Sequence, residues 1–191
     1  MPADLNSQVV SAARPRSRPV AAEARAAGAG LAAALAGWLW LKGWPGVELG
    51  CFARGAAQLA GLFTGAPVLR GETGWMLTVA GQTAIVTAAC SATEYFLIVS
   101  ALLGWQIARQ ERWPGRAWLV APCAALPLTI FLNALRVVVV THAHRWFIPL
   151  LPAGYGAFLH MLTGVAIFLP GLVTLNLLLE YYGNLGPVTR A

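Results

Sequence analysis

The chain has 191 residues, of which 58% are hydrophobic and only 10% are charged, and its mean hydropathy is +0.66. Soluble globular domains carry about 25% charged residues, so this composition excludes a soluble protein and indicates a polytopic membrane protein. The net charge is +6. The basic residues cluster beside apolar segments, where they predict membrane topology rather than a nucleic-acid surface.

The N-terminal part of the chain changes from polar to apolar. Residues 1–24 are rich in Ala, Arg and Pro, and we expect them to form a disordered, basic cytoplasmic tail. The apolar segment at about 26–44 predicts the first membrane-spanning helix, with Trp38 and Trp44 suited to its far interface. Its basic flank and small residues are also typical of a signal peptide, so the sequence leaves that alternative open.

The next stretch is too polar and too broken to predict a crossing. Residues 45–70 are weakly amphipathic and carry Glu48 and Arg54, which favours a helix that lies on, or dips into, the outer surface. Two β-prone runs then flank Gly81 and Gln82, and this pattern predicts a short β-hairpin with a tight turn.

Three further segments approach the ~20 apolar residues that a crossing requires. They lie at about 89–108, 117–141 and 157–180. Prolines interrupt the last two, but membrane helices tolerate proline where neighbours satisfy the freed carbonyl groups. The predicted fold is therefore an all-α polytopic membrane protein with about four transmembrane helices, an outer-face surface helix and a short β-hairpin. Residues 25–185 form its single transmembrane domain.

Two arginine clusters predict the orientation, because cytoplasmic segments carry an excess of basic residues. The clusters are Arg14, Arg16, Arg18 and Arg25 in the tail, and Arg109, Arg112 and Arg116 in the loop after the second crossing. Four crossings place both clusters in the cytoplasm and return the chain to the cytoplasm near Arg190. A fifth crossing at 50–68 would move the second cluster outside, so the number of crossings also favours a surface helix there.

Polar residues within apolar segments are costly in a membrane and usually functional. In this topology Cys90 lies at the outer end of the second crossing. Arg136 lies about five residues, or ~7 Å, inside the outer end of the third, and His160 about three residues, or ~5 Å, inside the outer end of the fourth. Three segments distant in sequence thus bring a thiol, a guanidinium and an imidazole to similar depths on one side.

These residue types suit thiol chemistry. A neighbouring cation favours the reactive thiolate of a cysteine, His160 can take or give a proton, and Arg136 can stabilise an oxyanion with its five donors. Asn133 lies three residues before Arg136, on the same helix face, where it can orient the arginine or donate a hydrogen bond itself. Glu94 lies one turn after Cys90, which predicts a supporting Glu94–Arg136 ion pair.

The runs "ACSATEYF", "NALR" and "HMLTG", in that order on successive membrane helices, resemble the exosortase/archaeosortase family. The resemblance covers roughly residues 70–170 and suggests a compact subtype. It implies Cys90 as nucleophile, Arg136 as oxyanion or substrate stabiliser and His160 as acid/base. One position departs from the family's pattern, because Ala92 stands where the family usually has Gly.

The resemblance implies a membrane cysteine protease or transpeptidase with sortase-like chemistry. Its partners would be the lipid bilayer and exported proteins with a C-terminal sorting tail. The protein would cut these substrates near the tail, on the outer face of the inner (cytoplasmic) membrane. The acyl group would then pass to a surface acceptor or to water. No cofactor and no nucleic acid are expected.

Other functions remain open at the level of sequence. Glu94, Arg136 and His160 also suit a polar path or a docking site in a small transporter or assembly factor. Transfer of an acyl group to a lipid or glycan would use the same cysteine. Two further interpretations concern isolated residues. Cys51 and Cys123 are expected to be buried apolar-type side chains. His142 and His144 could bind a metal with His160 but lack an obvious carboxylate or thiolate ligand.

Overall fold

The computed structural model describes residues 20–44, 46–79, 81–109, 117–147 and 155–184. Its helices are α1 (Val20–Gly43), α2 (Arg54–Thr64), α3 (Thr93–Arg109), α4 (Ala117–Phe147) and α5 (Tyr155–Asn184). Its strands are β1 (Val68–Arg70), β2 (Gly74–Val79) and β3 (Gln82–Thr87). A π-helical segment at Glu48–Ala53 precedes α2, and a 3₁₀ turn at Ala88–Cys90 precedes α3.

Four helices in the described part of the chain are long and apolar enough to cross a membrane. Their spans are Val20–Gly43, Ala88–Arg109, Trp118–Ala143 and Phe158–Tyr181, so the four predicted crossings are confirmed. Helix α1 begins at Val20, so the last residues of the predicted tail are helical, as their Ala-rich sequence favours. The rest of that tail, and residues 110–116 and 148–154 of the predicted loops, lie outside the described residues.

A continuous helical stretch, Glu48–Ala53 followed by α2, occupies the position of the predicted surface helix and is too short to span a bilayer. One of its faces is fully buried and the other exposes Leu62 and Phe63. The buried face consists of Phe52, Ala53, Ala56, Ala57 and Ala60. Such small side chains allow α2 to pack closely on α4 and on the sheet.

The predicted hairpin is present and is extended to three antiparallel strands in the order β1-β2-β3. Val79 pairs with Gln82 across the turn, where Gly81 has a φ of +81°, a conformation that favours glycine. Strand β1 was not predicted, because its three residues are too few to show a periodic pattern. Leu77 and Val86 lie on the buried face of the sheet, against α2 and α4.

Helix α3 lies at the centre of the bundle and packs closely on α1. The contact depends on missing side chains, since a Cβ added to Gly30 would lie 2.7 Å from the Ala101 carbonyl oxygen, and one added to Gly104 would lie 2.7 Å from the Ala33 Cβ. Small residues commonly allow this close approach between membrane helices. The small residues that also suit a signal peptide thus form a helix–helix interface.

Helix α5 is the least enclosed of the four spans. Of the residues in its most apolar stretch, 11% are buried, compared with 50% in the span that contains α3. A hydrogen bond and an aromatic contact attach it to α3. The Gln106 amide donates to Asn176 Oδ1 at 2.9 Å, and Phe168 stacks on Tyr95 with ring centroids 4.5 Å apart. Hydrogen bonds of this kind contribute about 0.6 kcal/mol on average in membrane bundles.

Candidate active site

Cys90 lies in a short connection between the sheet and the membrane helices. Strand β3 ends at Thr87, the 3₁₀ turn Ala88–Cys90 follows, and α3 begins at Thr93. The thiol is half-buried and is not part of a disulfide. Cys90 therefore lies just before the N-terminus of α3.

The turn after Cys90 contains a residue in the left-handed region, Ala92, with a φ of +59°. This conformation costs an L-residue about 1–2 kcal/mol, whereas glycine adopts it freely. The backbone therefore explains why glycine suits this position. Ala92 keeps the same turn at an energetic cost, and its carbonyl accepts a hydrogen bond from the Phe96 amide at 3.0 Å.

His160 lies in the second turn of α5 and reaches Cys90 across 70 positions of sequence. Its Nε2 lies 3.9 Å from the Cys90 Sγ, within hydrogen-bonding range for sulfur. A second polar group meets the same sulfur, since the Thr87 hydroxyl donates to Sγ at 3.8 Å. Thr87 could not be predicted from the sequence, because an isolated threonine at the end of a strand has no distinguishing feature until its distance to the thiol is known.

Arg136 lies on α4 and faces α5. Its guanidinium carbon lies 5.6 Å from the centroid of the Phe168 ring, a cation–π distance. Gly164, one turn after His160, faces the same side chain and leaves room for it. The Nε atom of Arg136 is buried and has no hydrogen-bond partner among the described residues. A buried donor of this kind is costly unless a ligand or water satisfies it.

Asn133 holds the backbone of the cysteine. Its Nδ2 donates to the Cys90 carbonyl oxygen at 2.6 Å, and its side chain is 1% exposed. The predicted supporting role is therefore directed at the Cys90 turn, with no hydrogen bond between Asn133 and Arg136 in the described part of the chain. The Asn133 Oδ1 is buried and without a partner among the same residues.

Glu94 is the one predicted site residue that the structure places elsewhere. Its side chain is exposed, and among the described residues the ion pair that forms is Arg109–Glu23 at 3.5 Å, not Glu94–Arg136. The prediction assumed an unbroken helix from Cys90 to Glu94. The left-handed Ala92 breaks that helix, so the one-turn spacing does not bring the side chains of Cys90 and Glu94 to the same face.

A cavity joins these groups. It is lined by Cys90, Asn133, Arg136 and His160, by Val137, Val140 and Thr141 of α4, and by Ala84, Ile85 and Val86 of β3. The three residues expected to carry the chemistry therefore share one cavity at one end of the bundle. Sequence reasoning missed the contribution of β3 to this cavity.

The two other cysteines lie outside the cavity. Cys51 lies in the π-helical segment, where burial raises the pKa of its thiol. Cys123 is exposed on α4, so the expectation that its side chain is buried is wrong. His142 is exposed, with Nδ1 2.8 Å from the Val138 carbonyl oxygen, and the side chain of His144 is outside the described residues. Within the described part of the chain, no three His, Cys, Asp or Glu side chains form a group suited to a metal.

Comparison with protein families agrees with this geometry. The family model of the transmembrane exosortases matches residues 50–177, which is more than half of the chain and includes every residue of the cavity. The chain therefore belongs to the transmembrane exosortase family, and this membership indicates a membrane protease or transpeptidase. No curated protein and no solved structure matches the chain.

Proposed function

We propose that this protein is a membrane cysteine peptidase or transpeptidase in which Cys90, His160 and Arg136 carry the chemistry. The observation that carries the proposal is the 3.9 Å distance between the Cys90 Sγ and the His160 Nε2, in a cavity that Arg136 also lines. A thiol with a base in reach is the usual arrangement of a cysteine nucleophile.

The reaction follows from these positions. His160 takes the thiol proton, and the Cys90 thiolate attacks the carbonyl carbon of the scissile peptide bond. The C–N bond then breaks, His160 returns the proton to the leaving amine, and a thioester remains on Cys90. Water attacks the thioester in hydrolysis, and an acceptor nucleophile attacks it in transfer, and both release the thiol again.

Arg136 would stabilise the negative oxygen that forms when the carbonyl is attacked. Its Nε–H is buried without a partner among the described residues, so it is a donor that a substrate oxygen can satisfy. A preorganised donor in a site of low polarity is most effective where charge develops in the transition state. Thr87 would act on the preceding step, because its hydroxyl donates to the sulfur and stabilises the thiolate.

The proposed substrates are exported proteins with a C-terminal sorting tail, which the enzyme would cleave on the outer face of the inner membrane. Family membership supports this substrate class. The alternative of a polar path or docking site is weaker, because Glu94 is exposed and is not among the residues lining the cavity. Transfer to a lipid or glycan acceptor uses the same thioester and is a variant of the same proposal.

Substitution of the nucleophile tests the proposal. Cys90→Ala and Cys90→Ser should abolish processing of a C-terminally tailed substrate while the protein still accumulates in the membrane, whereas Cys51→Ala and Cys123→Ala should process normally. Arg136→Lys keeps the charge but loses the planar fork, so processing should fall by about a hundredfold or more. Normal processing by Cys90→Ala would overturn the assignment.

A trapped intermediate would identify the transferred group. A thioester adduct should form on the wild-type protein and be absent from Cys90→Ala, and its mass should equal that of the substrate minus its tail. An adduct of lipid or glycan mass would instead favour the acyl-transfer variant. The thioester should accumulate when the acceptor is withheld and hydrolysis is slow. If no adduct that depends on Cys90 accumulates under these conditions, the proposal of covalent catalysis is wrong.

A further inference from the structure

The cavity beside Cys90 has a wall made of strand backbone. Three consecutive residues of β3, Ala84, Ile85 and Val86, line it. Side chains of a strand point alternately to opposite faces, so three neighbours cannot all line one cavity through their side chains. The side chains of Val86 and Ile85 differ accordingly, at 2% and 49% exposed. The edge of β3 itself therefore faces the cavity.

That edge has unused hydrogen-bonding groups. Strand β3 is the last strand of the sheet and pairs only with β2. With Val79 opposite Gln82 as the hydrogen-bonded pair that closes a two-residue turn, bonding to β2 alternates along β3. The N–H and C=O of Ile85 then point away from β2, and no described residue outside the sheet forms a backbone hydrogen bond with them.

We propose that the scissile segment of the substrate binds as an additional strand on this edge of β3, with its backbone paired to Ile85 and its scissile carbonyl beside Cys90. The inference rests on the proposed function and adds how the substrate is held. A strand is the chemical complement of such an edge, because it offers donors and acceptors at the same spacing. The end of β3 leads to the thiol, since Thr87 contacts the Cys90 Sγ.

The opposite wall defines which side chains fit. Helix α4 presents Val137, Val140 and Thr141 to the cavity, and these side chains are small and mostly apolar. The bound segment is therefore an extended peptide whose side chains toward α4 are apolar and which is recognised mainly through its backbone.

The test uses labelling of Cys90 by a peptide of this kind. The probe is acetyl-tetraalanyl chloromethyl ketone, whose methylene carbon forms a bond to the Cys90 sulfur as chloride leaves. Rates are measured by mass spectrometry on the full-length protein in proteoliposomes, and iodoacetamide serves as the probe without a peptide backbone. Because strand residues alternate, N-methylation of one alternate set of amides should slow labelling about tenfold or more, whereas N-methylation of the other set should change it less than twofold.

Variants of the strand test the same contact from the protein side. Ile85→Pro removes the outward N–H, a substitution that edge strands tolerate, and Ile85→Val is the matched control that keeps it. The peptide probe should label Cys90 about tenfold more slowly in Ile85→Pro than in Ile85→Val, with equal iodoacetamide rates. The N-methylated probes on the wild-type protein give the answer independently if Ile85→Pro does not fold.

The outcomes separate the two proposals. Equal labelling by all the peptide probes, or equal slowing by both N-methylated sets, would overturn the proposal of an added strand. Rapid labelling of Cys90 by iodoacetamide in the same experiment would still support Cys90 as the nucleophile. If Cys90 reacts no faster than Cys51 and Cys123 with either reagent, the nucleophile is wrong, and the strand proposal falls with it.

Discussion

Gly164 shows how a single missing side chain shapes the site. It lies one helical turn after His160 on α5, and a Cβ there would lie 3.3 Å from the Arg136 Nε and 3.6 Å from its guanidinium carbon. The distance to Nε is shorter than an ordinary contact, so an added methyl group would displace the arginine by a few tenths of an ångström. The spacing of His160 and Gly164 in "HMLTG" thus places a base and an empty space on one face of α5.

Gly164→Ala should therefore lower activity without lowering stability. Displacing Arg136 by a fraction of an ångström should slow substrate processing about tenfold, because catalytic groups tolerate little misplacement. Alanine is the better helix former by about 1 kcal/mol, so membrane levels and thermal stability should not fall. Gly28→Ala is the control, since nothing lies within 4 Å of a Cβ there. Wild-type processing by Gly164→Ala would show that Arg136 needs no exact placement.

Ala92 is a position where the chain departs from the residue its backbone favours. Relief of the left-handed strain is worth about 1–2 kcal/mol, and loss of a buried methyl group costs about 0.8 kcal/mol. Ala92→Gly should therefore raise the free energy of unfolding by up to about 1 kcal/mol. Ala92→Val should lower it, because a β-branched residue is strained further at positive φ. Thermal unfolding in detergent measures both, and equal stability of the two variants would contradict the strain.

At the scale of elements, the α1–α3 contact has a matched test. A side chain at Gly30 would meet the Ala101 carbonyl oxygen at 2.7 Å, whereas Gly28, on the same helix, has open space. Gly30→Leu should separate the helices and destabilise the protein by about 1–3 kcal/mol, and Gly28→Leu should leave it near wild type. The folded fraction after heating in detergent measures the difference. Similar behaviour of the two variants would mean that α1 contributes little to the bundle.

The same scale shows what a sequence can predict here. Length and hydropathy identified the four spans, because a bilayer requires long apolar runs, and two β-prone runs around Gly81 and Gln82 identified the hairpin. The predicted ion pair between Glu94 and Arg136 does not form among the described residues, because the left-handed turn at Ala92 breaks the helical spacing on which that prediction depended. Thr87 and Gly164 were missed because their roles are distances to side chains on other elements. Periodicity reports which face a residue occupies, and it does not report such distances.

At the scale of the whole molecule, one ion pair fixes which helix ends lie together. Arg109 at the end of α3 lies 3.5 Å from Glu23 near the start of α1, so these two ends are on the same side of the membrane. Cys90 precedes the opposite end of α3 and therefore lies on the other side, together with the sheet. The basic N-terminal tail is expected on the side of Glu23, and the positive-inside rule then predicts a site that faces outward.

Cysteine accessibility in right-side-out membrane vesicles tests this orientation. In a background carrying Cys51→Ala, Cys90→Ala and Cys123→Ala, a membrane-impermeant maleimide should label Glu72→Cys without detergent, because Glu72 is exposed between β1 and β2. Arg112→Cys should be labelled only after detergent opens the vesicles, because the second arginine cluster is expected in the cytoplasm. The reverse pattern would place Cys90 on the cytoplasmic side. Substrates would then meet the thiol before export, which is incompatible with cleavage of exported proteins on the outer face.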